Sequence, residues 1–166
     1  MLEESDVAIQ NSVATAEGTI AELMKLMQVN IQEGRIFLMG FGKCGKAIAE
    51  RLYCLGADVV IIARRENPIN LARFFGFEAY DISDDAIPYE TCDGIVNTVP
   101  ALVVNQAIID RLPKDAVILD IASAPGGCDG AYCKEKGVPY KLALGLPGQY
   151  SPKTSAEILL HAMPFD

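Results

Sequence analysis

Residues Arg35 to Gly45, R-I-F-L-M-G-F-G-K-C-G, decide the fold. Ile36, Phe37, Leu38 and Met39 form a short apolar run, the pattern of a strand buried on both faces. Gly40, Gly42 and Gly45 follow in G-x-G-x-x-G spacing. From Lys46 to Leu55 the periodicity is helical, with Ala47, Ile48, Leu52 and Leu55 on one face. Strand, tight turn and helix in that order give the glycines a mechanism. Gly40 permits a sharp turn, Gly42 lets backbone approach a pyrophosphate, and Gly45 lets the helix pack closely on the strand. The loop Gly40-Phe41-Gly42-Lys43-Cys44-Gly45 is therefore a candidate pyrophosphate site. The amides of Lys43 and Cys44 would donate, aided by the helix dipole. The same spacing also suits a glycine-rich turn that binds nothing.

The next strand, Asp58 to Ala63 (D-V-V-I-I-A), follows a helix capped by Gly56. An acidic residue about 20 positions past the glycine motif normally holds an adenosine ribose. Here that place carries Ala63, Arg64 and Arg65. Guanidinium groups meet a 2′-phosphate with charge-assisted bidentate hydrogen bonds. The reading is NADP as cofactor, with NAD as the alternative. Two solvated surface arginines after a strand would look the same.

Upstream, Met1 to Ser12 carry little secondary-structure signal. Thr15 reads as a helix N-cap, with Glu17 in the first turn. Ile20, Leu23, Met24 and Met27 form an apolar stripe ending near Gln28. This helix reads either as a packing element on one sheet face or as a connector from an upstream domain. Downstream, Ile69 to Phe75 reads as a helix, Phe77 to Tyr80 as a strand, and Asp81 to Thr91 as loop and short helix. A fourth strand, Gly94 to Asn97, runs into Thr98-Val99-Pro100 and a helix near Asn105 to Arg111. Asn97 and Thr98 could contact a ligand in the strand-end crevice or cap their own turn. Ala116 to Asp120 is a fifth strand, followed by the small-residue turn Ile121 to Gly127. Asp129 to Lys136 reads as a helix and Tyr140 to Leu144 as a sixth strand. The loop Gly145 to Thr154 is placed to close over a substrate. A last helix spans about Pro152 to Ala162, with Ser151 as N-cap and Pro152 at its first position. His161 reads as structural or surface rather than catalytic.

The 166 residues are 51% hydrophobic, enough for one well-filled core. A net charge of -8 offers no basic footprint for nucleic acid. No apolar run reaches membrane-spanning length, and M-L-E-E-S-D is not a signal-peptide start. Five cysteines, an odd number, with one histidine disfavour a disulfide framework and a metal site. Free thiols suit a reducing cytoplasm. Cys128 and Cys133 have no basic neighbour to activate them.

Six stretches carry a resemblance: Asp6 to Ile20 (D-V-A-I-Q-N-S-V-A-T-A-E-G-T-I), Gly40 to Gly45, Ala63 to Arg65, Asn97 to Pro100, Ile118 to Gly127 (I-L-D-I-A-S-A-P-G-G) and Ala143 to Thr154 (A-L-G-L-P-G-Q-Y-S-P-K-T). Together they resemble the C-terminal nucleotide-binding part of the A-type subunits of dipicolinate synthase, in order and over nearly the whole chain. The resemblance implies a bacterial, sporulation-linked oxidoreductase. It would act with the flavoprotein-like B-type subunit of dipicolinate synthase to make dipicolinate from dihydrodipicolinate. It also implies kinship with D-2-hydroxyacid and alanine dehydrogenases, whose long helix crosses between two domains. Residues Thr15 to Met27 match that crossing helix. Members of the family carry a further domain upstream, so the chain reads as a fragment, an excised domain or a paralogue lacking the substrate domain.

The expected fold is a doubly wound α/β sandwich, three layers around a mainly parallel sheet of about six strands. Residues 1–30 form an N-terminal segment with the crossing helix, and 31–166 form the NAD(P)-binding Rossmann domain. Gly40, Phe41, Gly42, Lys43, Cys44 and Gly45 would hold the pyrophosphate, and Ala63, Arg64 and Arg65 the adenosine end. Thr98, Val99, Pro100, Ala122 and Ser123 would line the nicotinamide end. Lys153 would pair with a substrate carboxylate. Alternatively, the chain is a non-catalytic nucleotide-binding or assembly module. The sequence is compatible with a homo-oligomer and identifies no catalytic acid or base.

Overall fold

Alternate residues of the first strand, β1 (Arg35–Met39), enter two different cores. Ile36 and Leu38 join one apolar cluster, and Phe37 and Met39 join the other. All four are fully buried, as a strand covered on both faces requires. The computed structural model describes residues 2–162, and side chains from 7 to 160. Around β1 lie β2 (Asp58–Ala63), β3 (Glu78–Asp81), β4 (Gly94–Asn97), β5 (Val117–Asp120) and β6 (Tyr140–Leu142). Among the described residues they form one six-stranded sheet in the order β3-β2-β1-β4-β5-β6, with every neighbouring pair parallel. This is the doubly wound order whose direction reverses between β1 and β4, leaving a crevice at their C-terminal ends.

Helices cover both faces. The first cluster gathers α1 (Leu2–Leu26), α2 (Lys43–Cys54) and α3 (Glu66–Phe74). The second gathers α4 (Gln106–Ile109), α5 (Gly130–Lys136) and the 3-10 turn Tyr89–Thr91. Two more helices, α6 (Leu146–Tyr150) and α7 (Pro152–Ala162), follow the edge strand β6. Among the described residues no helix is long and apolar enough to cross a membrane.

The largest departure from the sequence reading is α1. It begins at Leu2, so Thr15 lies inside the helix and is not an N-cap. The physical reason is visible in its hydroxyls. Ser12, Thr15 and Thr19 donate to the carbonyls of Ile9, Asn11 and Thr15, at 2.6, 2.7 and 2.8 Å. Side chains that could have capped a helix are instead satisfied within one. Ala14, Ala16 and Gly18 are buried, so packing on both sides of Thr15 holds it inside the helix. Helix α1 ends at Leu26, slightly before the expected Gln28, whereas α2 and α3 each start three residues early. Helix α4 is shorter than expected, although Asn105 caps it as an N-cap asparagine should, accepting from the Ile108 amide at 3.2 Å. Residues 146–150, read as loop, form α6. Helix α7 has the expected bounds, and the Ser151 carbonyl accepts its first helical hydrogen bond, from Ser155. The side chain of His161 lies outside the described residues.

One buried carboxylate ties α1 to the far edge of the sheet. The Glu22 side chain is 4% exposed. It accepts from Lys141 on β6, from the Tyr150 hydroxyl on α6, and from Lys25 at 3.2 Å. The Lys141 hydrogen bond, then the Tyr150 one, hold the Glu22 carboxyl at about 2, below its ordinary 4.5, with burial opposing them. Because the folded value is depressed, the stabilisation is present above the unfolded value and is lost as pH falls through the folded one. Thermal melts of wild type and Glu22→Gln should therefore differ most above about pH 5 and converge towards about pH 2. A melting-temperature gap independent of pH across that window would contradict the assignment.

Candidate functional site

At the end of β1 the chain turns on Gly40, whose φ of 95° disfavours any side chain. The turn is held from both sides, by Gly40 N donating to Ile62 O at 2.8 Å and Thr98 N to Met39 O at 3.0 Å. A Cβ on Gly45 would run into the Gly40 carbonyl oxygen, so the first turn of α2 can sit against the strand end only with glycine there. Gly42 is the N-cap of α2 and provides no side-chain cap, and no acidic residue lies in the first turn. The Lys46 amide is the one that bonds back to Gly42 O, at 2.9 Å. The amides before it are the donors a helix start leaves without internal partners. Nothing lies within 4 Å of where a Gly42 Cβ would be. The result is an anion-binding cradle with open space in front of it.

Asn97 and Thr98 are turned inward. Buried Asn97 donates to Val99 O at 3.0 Å and to Asp120 Oδ1 at 2.8 Å, and accepts from Val99 N at 3.0 Å. The Thr98 hydroxyl donates to Met39 O at 2.8 Å. Of the two roles open to Asn97, the structure has it capping its own turn. Asp120, which the sequence reading left as the last residue of a strand, organises the crevice. Its Oδ1 also accepts from Ala122 N at 3.1 Å, and its Oδ2 from Gly127 N at 2.7 Å and Cys128 N at 3.1 Å. In the sequence, an aspartate ending an apolar strand just before a glycine-containing turn is the one signal of this role, and many ordinary strand ends share it.

Two clefts flank the glycine turn. The first, of about 240 Å³, is lined by Cys44, Thr98, Pro100, Ala122 and Ser123 of the expected residues. Thr15, Ala143, Gly145, Leu146 and Pro147 complete it. The second, of about 290 Å³, is lined by Gly40, Phe41, Ala63, Arg64 and Arg65, with Pro68, Ile82 and Val103. Val99, expected at the nicotinamide end with Thr98, lines this second cleft instead. The backbone explains it: consecutive residues of an extended turn face opposite sides. Phe41 is a core anchor, buried and edge-on to Phe77 at 6.1 Å, so it fronts the cleft without offering a polar group. Gly42 and Lys43 are exposed at the mouth between the clefts. Lys153 is exposed near the start of α7 and is not among the residues lining either cleft. A larger hollow, about 390 Å³, lies among the side chains of Phe41, Lys46, Glu50, Tyr53, Phe75 and Phe77. Phe41 apart, its lining comes from α2 and the turn before β3 and not from the strand-end loops, so chemistry and not size locates the site.

The first cleft contains little that can move a proton. Cys44 is its one titratable lining residue, and burial pushes its thiol up, against a hydrogen bond with Thr15. Burial likewise raises Cys92 to about 12 and Cys133 to about 11. Cys128 is raised by burial and then by the neighbouring Asp120. These thiols are kept from the nucleophilic thiolate form. Among the described residues, no group of three or more His, Cys, Asp or Glu could hold a metal ion.

Replacing Asp120 with asparagine would turn a donor towards amides that already donate. Asp120→Asn should destabilise the fold by about 3 kcal/mol, the scale of hydrogen bonds to a buried charged group. Urea unfolding measures it, and a loss below about 1 kcal/mol would contradict the role given to Asp120.

Comparison with known proteins agrees with this architecture. The chain is 32% identical over 163 residues to the A subunit of dipicolinate synthase from Bacillus subtilis (strain 168), covering 98% of this chain and 55% of that one. Crystal structures of the A subunit of dipicolinate synthase from Bacillus halodurans and of the Bacillus subtilis dipicolinate synthase A chain superpose with TM-scores of 0.90 and 0.90, at 35% and 33% identity. Each superposition covers 94% of this chain and 54% or 52% of the other, so the chain spans about half the length of these relatives. A transhydrogenase from Sinorhizobium meliloti shares the fold, with a TM-score of 0.77 at 16% identity over 95% of this chain and 55% of that one. Residues 2–125 match the family described as D-isomer specific 2-hydroxyacid dehydrogenase, NAD binding domain, and the chain belongs to that family.

Proposed function

We propose that this chain binds NADP in preference to NAD and serves as the dinucleotide-binding part of an oxidoreductase of the dipicolinate synthase type, in the role of its A-type subunit. The observation that carries the reading is the uncapped start of α2. Its free amides lie between two clefts, the smaller one edged by the hydroxyls of Thr15, Thr98 and Ser123, the other bordered by two arginines. An extended dinucleotide fits this layout, with its diphosphate at the cradle and one nucleoside in each cleft. The bound nicotinamide supplies hydride acceptance. With dihydrodipicolinate as substrate, loss of a hydride to that acceptor and of a proton to solvent would leave the ring aromatic.

The chain's own residues bind and orient. The amides of Lys43 and Cys44 donate to the diphosphate, with Gly42 leaving room for it. Arg64 and Arg65 hold the 2′-phosphate. Both are exposed at the tip of β2, and among the described residues neither forms an ion pair. The nearest competing carboxylate on the adjacent strand is Asp81, level with Ala63. Its Oδ1 accepts from Ser83 N at 2.9 Å and Ser83 Oγ at 2.5 Å, which turns it into its own loop. Thr98, Pro100 and Ala122 shape the wall for the nicotinamide ring, and Ser123, exposed at the rim, is the free hydroxyl for its carboxamide or a substrate carboxylate. Lys153 remains a weaker candidate for a substrate carboxylate. We assign residues 1–30 to the segment containing the crossing helix and 31–166 to the binding domain proper, in a cytoplasmic, sporulation-linked enzyme working with a flavoprotein-like B-type subunit.

A second reading has a specific observation behind it. The first cleft offers no acid or base beyond a thiol with a raised pKa. A binding module whose proton-transfer groups come from elsewhere fits that cleft. Absorbance at the reduced-nicotinamide band, with NADP and dihydrodipicolinate and with or without the B-type subunit, separates the readings. Turnover by this chain alone favours the enzyme, and binding without turnover favours the module.

Two substitutions test the cofactor site. Arg64→Ala should weaken NADP by roughly 1.5–3 kcal/mol and leave NAD almost unchanged. Equal loss for both in calorimetry would contradict the 2′-phosphate role. Gly42→Val should fold, since its side chain meets open space, yet lose dinucleotide binding. A folded Gly42→Val protein with wild-type affinity would refute the cradle.

A further inference from the structure

One wall of the first cleft comes from the N-terminal end of a five-residue helix, α6. Within α6 and its ends, Gln149 N donates to Gly145 O at 3.2 Å and Ser151 N to Pro147 O at 2.9 Å. A helix this short does not hold itself in place. Its N-terminal residues, Leu146 and Pro147, line the cleft. Its last residue, Tyr150, reaches α1. The Tyr150 hydroxyl donates to Glu22 and accepts from Lys25 Nζ at 2.5 Å. Lys141, on the strand leading to α6, donates to the other Glu22 oxygen. Thus a carboxylate buried on α1 holds both the helix and the strand that delivers it.

The packing beneath is equally constrained. A Cβ on Gly18 of α1 would come within 2.9 Å of Leu146 Cβ and within 2.9 Å of Tyr150 Cδ2. Neither atom is the free end of a flexible chain, so α6 would have to move. Glycine at position 18 and the charge network at position 22, one helical turn further on, set the distance between α1 and α6 from two points.

We propose that Glu22, acting through Tyr150, is a positioning residue for ligand: it fixes α6 as the wall of the first cleft and so governs affinity for the nicotinamide half of a dinucleotide but not the adenosine half. This rests on the cofactor reading given above. Glu22 touches no ligand itself. A purely structural Glu22 would affect both halves alike, through the stability of the whole fold.

The test compares two ligands by calorimetry on the full chain. NADP reaches both clefts, whereas adenosine 2′,5′-bisphosphate reaches only the second cleft and the cradle. Tyr150→Phe keeps the ring and removes the hydroxyl. Glu22→Gln keeps the shape and removes the charge, and Gly18→Ala displaces α6, the Tyr150 ring included, while keeping every polar group of the network. Each variant should weaken NADP by about five- to tenfold, the scale of one lost hydrogen bond, and leave the bisphosphate within about twofold of wild type. Should Glu22→Gln not fold, the other two variants carry the comparison. Unchanged NADP affinity, or equal loss for both ligands, overturns the positioning role while leaving the cofactor reading intact. Wild-type protein that binds neither ligand overturns the cofactor reading and this inference together.

Discussion

Everything at the ligand end of the sheet depends on the approach of the Gly45 α-carbon to the Gly40 carbonyl. That contact fixes where α2 starts relative to β1. It leaves no room for a side chain at position 45 and demands a left-handed backbone at position 40. Because Gly42 supplies no cap, the first amides of α2 face open space. A helix start in a soluble protein usually finds an Asp, Ser or Thr for those donors. Leaving them free costs stability in the unliganded chain and makes sense where an anion arrives to replace the cap.

A second constraint holds the facing side of the crevice. Asp120 gathers four donors from the β4 and β5 turns. A buried carboxylate is tolerated only when so satisfied. The four hydrogen bonds offset the cost of desolvating it and tie together two loops that between them contribute lining residues to both clefts. The site is thus preorganised by three devices: glycine contact at β1, a carboxylate knot at β5, and the Glu22 anchor that brings α6 to the rim.

The parts of this arrangement that were legible in the sequence are those whose cause is local. The apolar runs of β1 and β2 and the glycine spacing identify the doubly wound unit, since period and turn chemistry act within a few residues. The arginines at the tip of β2 are visible for the same reason. The parts that are not legible there have causes at a distance. Thr15 has the chemistry of a cap, yet its hydroxyl is satisfied within the helix by Asn11 O, and Ala14, Ala16 and Gly18 pack on either side of it. Helix α6 contains proline and glycine and has no period, and it forms because Tyr150 and Leu146 dock on α1. Asp120 looks like an ordinary strand end until the amides that converge on it are seen. Val99 and Thr98 could not be assigned to opposite clefts without knowing the turn they share.

The function proposed here has free amides on a glycine turn, with two guanidinium groups at the next strand, binding a phosphorylated dinucleotide. Calorimetric titration of the wild-type chain with NADP and with NAD tests it most directly. Saturable binding of both is expected, tighter for NADP. Absence of heat from either cofactor at millimolar concentration, in protein shown to be folded, would contradict it.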